Sequence, residues 1–300
     1  MPFKHVALLG LGLIASSIAL ALRSKNLNIK ITGYSRSRKT RNQAEKIDFC
    51  EISNTVDSCV KGADLIVLCV PVGAMQSTMK AAAPYLEKGA VVTDVGSVKS
   101  SVIKAISPII PEGIFFVPAH PIAGTENSGP KAGFAELFNG RWCILTPTSE
   151  TPNGAINKVR DFWTLLGADV QEMNANHHDL VLSVTSHAPH LIAFTMVGVA
   201  EEFSKVTKSE VINYSAAGFR DFTRLAASDP VMWRDIFINN KDAALEILGR
   251  FTEELFTLQS AIRREDGKYL QEYFERTRKI RRSIVEAGQD TAEPDFGRKV

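Results

Sequence analysis

The stretch Val6–Leu22, VALLGLGLIASSIALAL, decides how the rest of the chain is interpreted. It has no charged residue and contains the small-residue triplet Ala19-Leu20-Ala21, as a secretory signal peptide would. The alternative is a β-strand that turns into a helix through Gly10 and Gly12, the glycine turn of a dinucleotide-binding unit. The first interpretation removes the segment from the mature protein, whereas the second places it at a cofactor site.

The sequence around the glycine turn favours the dinucleotide interpretation. An apolar strand precedes the turn, helix-forming residues follow it, and a second strand ends about twenty residues later. Gly10 permits the tight turn, Gly12 lets the backbone approach a pyrophosphate, and Ala15 lets the helix pack closely on the strand. Cleavage near Ala21 would remove the first strand of the predicted sheet. The predicted cofactor contacts at this turn are Gly10, Gly12, Leu13, Ile14 and Ala15.

Composition indicates a globular protein with one large domain or, more simply, two. The chain has 300 residues, of which 45% are hydrophobic and 23% charged, and its formal net charge is +2. This charge is too small to indicate a nucleic-acid partner. The four cysteines show no C-x-x-C pair and no metal-ligand spacing, which predicts a reduced cytoplasmic protein without a metal. Beyond the opening segment, we expect nothing to approach the ~20 apolar residues of a membrane helix.

Two halves of different character follow one another along the chain. Up to about residue 173, short apolar runs alternate with helix-like stretches, which predicts α/β structure with a parallel sheet covered on both faces. The predicted strands lie in VALLGLG, KITGYS, LIVLCV, AVVTDVG, FFVPAHP, WCILTP and ADVQEM. From residue 174 onward, apolar residues recur every three or four positions, which predicts an all-α half. Its predicted helices cover 177–205, 210–228, 231–263 and 265–286, with Gly288 as the last helix stop.

The second strand, in KITGYSRSRKTR, bears on which dinucleotide is bound. Proteins that read the ribose 2′-hydroxyl of NAD usually place Asp or Glu at the end of this strand, whereas arginine accommodates a 2′-phosphate. Here Ser35 and Arg36 stand at the strand end, and the first acid is Glu45. The sequence therefore leans toward NADP over NAD. The alternative interpretation is a solvated loop that is rich in Arg and Lys.

Polar side chains also follow two later strands, at the sheet edge where ligands bind in α/β proteins. Ser97 and Lys99 follow the strand of AVVTDVG, although Ser97 could equally cap a helix that starts at Val98. His120 stands at the end of the next strand, in HPIAGTENSGP, where an imidazole can accept a proton from an alcohol. Glu126 is close enough in sequence to tune His120 or to contact a substrate.

The helical half contributes a third group of polar residues. Pro189, in SHAPHLIAF, interrupts a helix and frees backbone groups, which suits a ligand cavity. Arg220 and Arg224 are four residues apart, so on one helix they share a face and suit an anionic ligand. The alternative is that they pair with Asp221, Asp229 or Asp235. The pair His177-His178 has no third ligand in sequence and is interpreted as a helix-terminus feature.

Together these stretches resemble the prephenate and arogenate dehydrogenase family, and most closely its bacterial cyclohexadienyl dehydrogenases. The motifs that carry the resemblance are GLGLIASSIA, VTDVGSVKSSV, HPIAGTENSGP, SHAPHLIAF, GFRDFTRLAASDPVMWRD and the tail motif QDTAEPDFG. The resemblance implies a Rossmann-like, doubly wound domain in 1–173, a helical dimerisation domain in 174–300, and an active site in the cleft between them. It also implies a homodimer that converts prephenate to 4-hydroxyphenylpyruvate, or arogenate to tyrosine, by oxidative decarboxylation with hydride transfer to a nicotinamide cofactor.

The resemblance further implies a role for each matching position. His120 matches the histidine that draws off the C4 hydroxyl proton, Ser97 the serine that contacts this hydroxyl and the nicotinamide, and Arg224 the arginine that binds a substrate carboxylate. Arg220 stands where relatives carry lysine, and the two side chains differ in hydrogen-bond geometry. The remaining matches line or gate the substrate pocket and are Ser186, His190, Glu126 and Trp233.

Two rival hypotheses remain beside this resemblance. A β-hydroxyacid dehydrogenase also joins a Rossmann domain to a helical one, but it typically uses a lysine as acid/base on the helical half, where this chain has His190 and arginines. The second rival is a regulator that binds the dinucleotide without turnover. The choice between prephenate and arogenate depends on whether the pocket meets a keto group or an ammonium group.

Overall fold

The computed structural model describes residues 2–125, 127–202 and 208–286. The chain forms two compact units, Met1–Ala244 and Leu245–Val300. The predicted boundary near residue 173 lies inside the first unit, and as a domain boundary it stays a prediction. Glu126, Gly288 and the tail motif QDTAEPDFG lie outside the described residues.

A six-stranded sheet in the order β3-β2-β1-β4-β5-β6 forms the centre of the first unit, and all its neighbouring strands run parallel. The strands are β1 (His5–Leu9), β2 (Lys30–Tyr34), β3 (Glu51–Ile52), β4 (Leu65–Leu68), β5 (Val91–Asp94) and β6 (Phe115–Val117). The opening stretch supplies β1, which pairs with both β2 and β4. This is the strand order of a doubly wound dinucleotide-binding fold, with the first strand at its centre.

Helices cover both faces of this sheet, as the continuous apolar strands predict. They are α1 (Leu13–Ser24), α2 (Arg38–Ile47), α3 (Val56–Val60), α4 (Val72–Ala82), α5 (Ser100–Ile106) and α6 (Asn153–Leu165). Successive β1 side chains point to opposite faces: Val6 and Leu8 join a core with α1 and α6, whereas Ala7 and Leu9 join a core with α3, α4 and α5. The predicted α/β half is therefore confirmed.

A second, three-stranded sheet differs from the prediction of one parallel sheet. It consists of β7 (Ala119–Pro121), β8 (Trp142–Leu145) and β9 (Asp169–Glu172), and β7 runs antiparallel to β8. The run FFVPAHP is therefore two strands, separated by Pro118. Proline cannot donate a hydrogen bond to a strand ladder, which explains the break. As a consequence, His120 lies inside β7, where it pairs with Ile144, and not after a strand of the main sheet.

The described residues after β9 are mostly helical, and most of the helices are shorter than predicted. They are α7 (Ala175–Leu182), a π-helical turn (Ser183–His187), α8 (Ala188–Glu202), α9 (Lys208–Asn213), α10 (Ala217–Thr223), a 3-10 turn (Arg224–Ala227), α11 (Pro230–Asn239), α12 (Lys241–Arg263) and α13 (Gly267–Glu286). The interruption predicted at Pro189 is a change of winding, because the π turn directly precedes α8, which contains this proline. Such turns are frequent at functional sites.

One helical run contradicts the expectation that no later stretch approaches membrane-helix length. Ala175–Glu202 is long and apolar enough to cross a membrane by length and composition alone. Core helices pass the same test, and this run includes the buried polar residues His178, Asp179 and Ser183. Met196 and Val199 on α8 are exposed. An apolar helix face of this kind also suits a subunit interface.

Candidate active site

The glycine turn after β1 has the geometry that a bound pyrophosphate requires. Gly10 has a φ of +105°, and a Cβ added there would lie 2.6 Å from the carbonyl oxygen of Cys69, so only glycine fits. Gly12 is the N-cap of α1, and a Cβ added there meets no described atom within 4 Å. The space above the N-terminus of α1 is therefore open to a phosphate. The side chain of Ala15 is fully buried, so it packs α1 on the sheet, and Ala15 as a cofactor contact stays a prediction.

A cavity of about 670 Å³ lies beside this turn. Gly10, Ser35 and Arg36 line it, so the structure brings these predicted cofactor residues together. Helix α11 closes the other side with Val231, Arg234 and Asp235. The volume is in the range of natural ligand pockets, and the residues present fit a nicotinamide dinucleotide.

The loop at the end of β2 is held by an arginine that the sequence did not single out. Arg41 donates hydrogen bonds to the carbonyl oxygens of Ser35 at 2.6 Å and of Arg36 at 3.2 Å. Its guanidinium also lies 5.8 Å from the centre of the Tyr34 ring. Arg36 itself is exposed at the cavity wall, so its guanidinium can reach a ligand there.

A buried ion pair at the end of β5 fixes the strand that carries His120. Lys99 is fully buried and pairs with Asp94. The Nζ of Lys99 also donates to the carbonyl of Ala119 at 2.8 Å, and Asp94 accepts from the N–H of Ala119 at 3.2 Å. Both backbone polar groups of the residue before His120 are thus fixed. Lys99 is therefore structural and does not face a ligand.

Ser97 lies half-buried on the loop between β5 and α5. The helix begins at Ser100 with Lys99 as its N-cap, so the alternative that Ser97 caps a helix at Val98 is wrong. Two backbone N–H groups at the start of α5 donate to a side chain on another helix. Asp179 on α7 accepts from Lys99 N at 2.7 Å and from Ser100 N at 2.9 Å. The side chain of Ser97 is thus not needed as a cap.

His120 is buried and joined to two residues that the sequence analysis did not assign to the site. Its Nδ1 lies 2.8 Å from Nε2 of His178, and Nδ1 of His178 lies 2.9 Å from Oδ1 of Asp179. His178 lies in the first turn of α7, so it is at a helix terminus as interpreted, but it is also fully buried and contacts His120. The contact joins residues 58 positions apart, which no local pattern reveals. The sequence offered only the adjacent pair His178-Asp179 as a signal.

The surroundings keep His120 neutral. Burial lowers the pKa of His120 well below its usual value, and the neighbouring His178, Lys99 and His187 lower it further. Burial also lowers the pKa of His178, although its hydrogen bond with Asp179 opposes this effect. Burial of His187 lowers its pKa to about 4. A neutral imidazole at His120 can accept a proton, which is what a general base requires.

A second group of predicted residues meets around the π turn. Nδ1 of His190 donates to the carbonyl of Ser186 at 2.8 Å, and its ring stacks on Trp233 with centroids 3.9 Å apart. The pKa of His190 is lowered by burial and also by the nearby charge of Arg224. His187 joins this group to the first, because its ring lies 6.0 Å from Trp233 and it contributes to the lowered pKa of His120.

Arg220 is exposed on α10, and α10 and the 3-10 turn both pack against α8. The helix ends at Thr223 and the 3-10 turn begins at Arg224, so the two arginines do not share one continuous helix as predicted. Two of the acids suggested as their partners are engaged elsewhere. Asp229 caps α11 by accepting from Met232 N at 2.8 Å, and Asp235 pairs with Arg234 at 2.7 Å.

The parallel sheet, its central glycine turn and the buried, unprotonated imidazole of His120 are typical of a dinucleotide-binding dehydrogenase class of protein. Comparison with known families agrees with this class. The prephenate dehydrogenase nucleotide-binding domain matches residues 18–172, and the prephenate dehydrogenase dimerization domain matches residues 174–276. The chain belongs to the prephenate dehydrogenase family.

Individual relatives support this assignment. The chain is 43% identical to the cyclohexadienyl dehydrogenase of Zymomonas mobilis over 94% of its own length and 96% of the relative's. It is similar to the structure of Aquifex aeolicus prephenate dehydrogenase in complex with hydroxyphenyl propionate and NAD+, with a TM-score of 0.86, 33% identity, and coverage of 94% and 98% of the two chains. Synechocystis arogenate dehydrogenase matches with a TM-score of 0.77, 26% identity, and coverage of 94% and 100%. The family prediction is confirmed, and neither rival hypothesis is supported.

Proposed function

We propose that this chain catalyses the oxidative decarboxylation of prephenate or arogenate in tyrosine biosynthesis, with hydride transfer to a nicotinamide cofactor. The observation that carries the proposal is the buried, neutral His120, held by hydrogen bonds to His178 and through it to Asp179. Free thiols at all four cysteines support a cytoplasmic location. The match to a dimerization domain supports a homodimer.

The cofactor is held by the turn and by the loop after β2. Gly10 makes the tight turn, its own N–H being donated to the carbonyl of Tyr34 at 2.8 Å, while Gly12 and the first helical residues Leu13 and Ile14 present backbone N–H groups to the pyrophosphate. When bound, the nicotinamide supplies the hydride acceptor. Ser97, on the loop after β5, contacts the substrate hydroxyl at the nicotinamide end of this site.

His120 acts on the C4 hydroxyl of the substrate. It accepts the hydroxyl proton while the hydroxyl carbon loses hydride, which forms the carbonyl that drives loss of the ring carboxylate as CO2 and aromatisation of the ring. A buried neutral imidazole suits this step, because it is unprotonated at neutral pH. The enzyme's contribution is therefore positioning and removal of one proton.

The substrate has two carboxylates, and the helical residues supply its pocket. Arg224 binds a carboxylate, supported by its proximity to His190. The stacked pair His190 and Trp233 forms an apolar wall that can exclude water from the ring. The other proposed pocket residues are Ser186, Arg220 and Glu126.

We also propose that NADP is preferred over NAD. Ser35 and Arg36 line the cavity at the end of β2, where a carboxylate would mark a protein that reads the NAD ribose. The related Aquifex structure contains NAD+, and the proposed preference for NADP concerns this chain alone.

A comparison of rates for prephenate and arogenate, each with NAD and NADP, tests the whole proposal through absorbance at 340 nm and release of CO2. Turnover of neither substrate would contradict the proposed reaction. Arg36→Ala should raise the KM for NADP by about tenfold or more, the worth of a charge-assisted phosphate contact. The matched control is Arg38→Ala, which removes an exposed arginine two residues away. A higher kcat/KM with NAD, or no effect of Arg36→Ala, would contradict the proposed preference.

A further inference from the structure

We infer that His178 and Asp179 set the tautomer of His120, so that Nε2 is the proton-accepting atom, and that Asp179 also holds the loop that carries Ser97. The inference rests on the proposed function for its consequence in catalysis. His178 and Asp179 are positioning residues, since they act through His120 and the loop. The carboxylate of Asp179 thus orients two reacting side chains that come from different strands.

The direction of each hydrogen bond follows from Asp179. Its Oδ1 accepts from Lys99 N at 2.7 Å and its Oδ2 accepts from Ser100 N at 2.9 Å, so both oxygens already face donors. Burial raises the pKa of Asp179, but the hydrogen bonds from His178, Ser100 and Lys99 outweigh it and lower the pKa below its usual value. The side chain is therefore an ionised carboxylate that only accepts hydrogen bonds.

This fixes the protons on both imidazoles. Because Asp179 only accepts, Nδ1 of His178 must carry the hydrogen in their 2.9 Å contact. A neutral imidazole has one N–H, so Nε2 of His178 is an acceptor. In its 2.8 Å contact with His178, Nδ1 of His120 must then be the donor. The lone pair of His120 is left on Nε2, the nitrogen on the far side of the ring from His178.

The groups around His120 explain what the hydrogen-bonded series His120, His178 and Asp179 contributes to proton transfer. His178 on α7, Lys99 before α5 and His187 in the π turn all disfavour a positive charge on His120. The positive charge of Lys99 is paired with Asp94 on β5. Asp179 is the anion that reaches His120 through His178. As the substrate O–H bond breaks and an N–H bond forms at Nε2, this anion stabilises the new imidazolium.

Nitrogen NMR of the full-length protein, labelled with 15N-histidine, tests the tautomer without any substrate. The chain has six histidines, and the His120 signals are assigned by their loss in His120→Asn. We expect the hydrogen of His120 on Nδ1 and a bare Nε2 at neutral pH. A hydrogen on Nε2 would overturn the inference, whatever reaction the protein catalyses.

Two variants of His178 test the effect on turnover. His178→Leu removes the acceptor for Nδ1 of His120 and should lower kcat by at least about tenfold, up to the 10²–10⁴-fold that a general base contributes. The KM values for substrate and cofactor should change little. His178→Gln retains an acceptor oxygen and should recover most of the lost kcat. A purely structural role would lower kcat in both variants in proportion to their loss of folded protein, which circular dichroism measures.

The neighbouring His177 provides the matched control, because it is exposed and adjacent in sequence. His177→Gln should leave kcat and the His120 signals unchanged. An unchanged kcat in His178→Leu, or equal losses in the Leu and Gln variants at equal folded fraction, would overturn the inference. If the wild-type protein turns over neither prephenate nor arogenate, the proposed function fails, while the NMR result still decides the tautomer.

Discussion

At the scale of the residue, His120 shows how burial keeps an imidazole unprotonated, as the proposed general base requires. Burial lowers its pKa first of all, the neighbouring His178, Lys99 and His187 lower it further, and the contact with His178 holds its ring. Replacing it with asparagine removes the proton acceptor but keeps a polar side chain of similar size.

We predict that His120→Asn lowers kcat by about 10²–10⁴-fold, the usual contribution of a general base. Cofactor affinity should stay the same, because the glycine turn does not depend on this side chain. Steady-state kinetics and a titration of cofactor fluorescence measure the two effects. A kcat within about twofold of wild type would remove His120 from the mechanism.

The role proposed for Arg224 is to bind a substrate carboxylate, and not to take part in proton transfer. We expect Arg224→Ala to raise the KM for prephenate by about tenfold to 10²-fold, since a charge-assisted hydrogen bond contributes about 1.5–3 kcal/mol. The KM of Arg224→Lys should lie between those of the wild type and Arg224→Ala, because lysine keeps the charge but not the planar guanidinium. If the alanine variant leaves KM unaltered, the carboxylate is bound by another residue.

The sequence was sufficient to nominate His120, Ser97, His190 and Trp233, because each stands in a motif. The comparisons confirm the family but not these individual roles. The sequence could not nominate His178, whose role depends on a contact across 58 positions of the chain. Nor could the sequence show that Lys99 forms a buried ion pair with Asp94. A lysine after a strand end is equally compatible with a contact to a ligand.

At the scale of the element, strands and helices were predictable where apolar runs are continuous and turns are marked by glycine. The second sheet was not predicted, because Pro118 divides one apolar run into β6 and β7, and the direction of β7 is set by its pairing with β8. The π turn before α8 was visible only as an expected interruption near Pro189. Pairing and winding depend on partners far along the chain.

The buried ion pair of Lys99 and Asp94, which links β5 to β7, gives a prediction at this scale. Lys99→Met leaves Asp94 as an unpaired buried charge, so we expect a loss of about 3–5 kcal/mol in the free energy of unfolding. The double variant Asp94→Asn with Lys99→Met removes both charges and should be less destabilised than the sum of the single variants. Urea denaturation measures all four proteins. Additive losses would contradict coupling between the two side chains.

At the scale of the whole molecule, several buried histidines make folding sensitive to acid. The pKa values of His5, His120, His178 and His187 are all lowered in the folded state, first of all by burial. The unfolded chain therefore binds more protons than the folded chain once the pH drops below 6.5. The contribution of these histidines to the free energy of unfolding is complete above this pH, and it is lost as the pH falls through their folded-state pKa values.

For His187 the window runs from pH 6.5 to about 4, which corresponds to a loss on the order of 3 kcal/mol. We predict a free energy of unfolding that falls steadily between these pH values, measured by urea denaturation in a pH series. In His187→Gln the free energy of unfolding should fall less steeply as the pH is lowered. A stability that does not change between pH 6.5 and 4.5 would show that these histidines titrate in the folded protein as they do in the unfolded chain.

Helix α11 forms part of two proposed binding sites. Its Val231, Arg234 and Asp235 line the cavity beside the glycine turn, while Trp233 stacks on His190 in the proposed substrate pocket. Asp235 also accepts a hydrogen bond from Gly73 N at 3.2 Å, which fastens the helix to α4 of the nucleotide-binding half. Because one helix forms part of both walls, we expect a substitution that displaces α11 to change the affinity for the cofactor and for the substrate together. A change of cofactor preference that evolved through α11 would then alter substrate recognition in the same step.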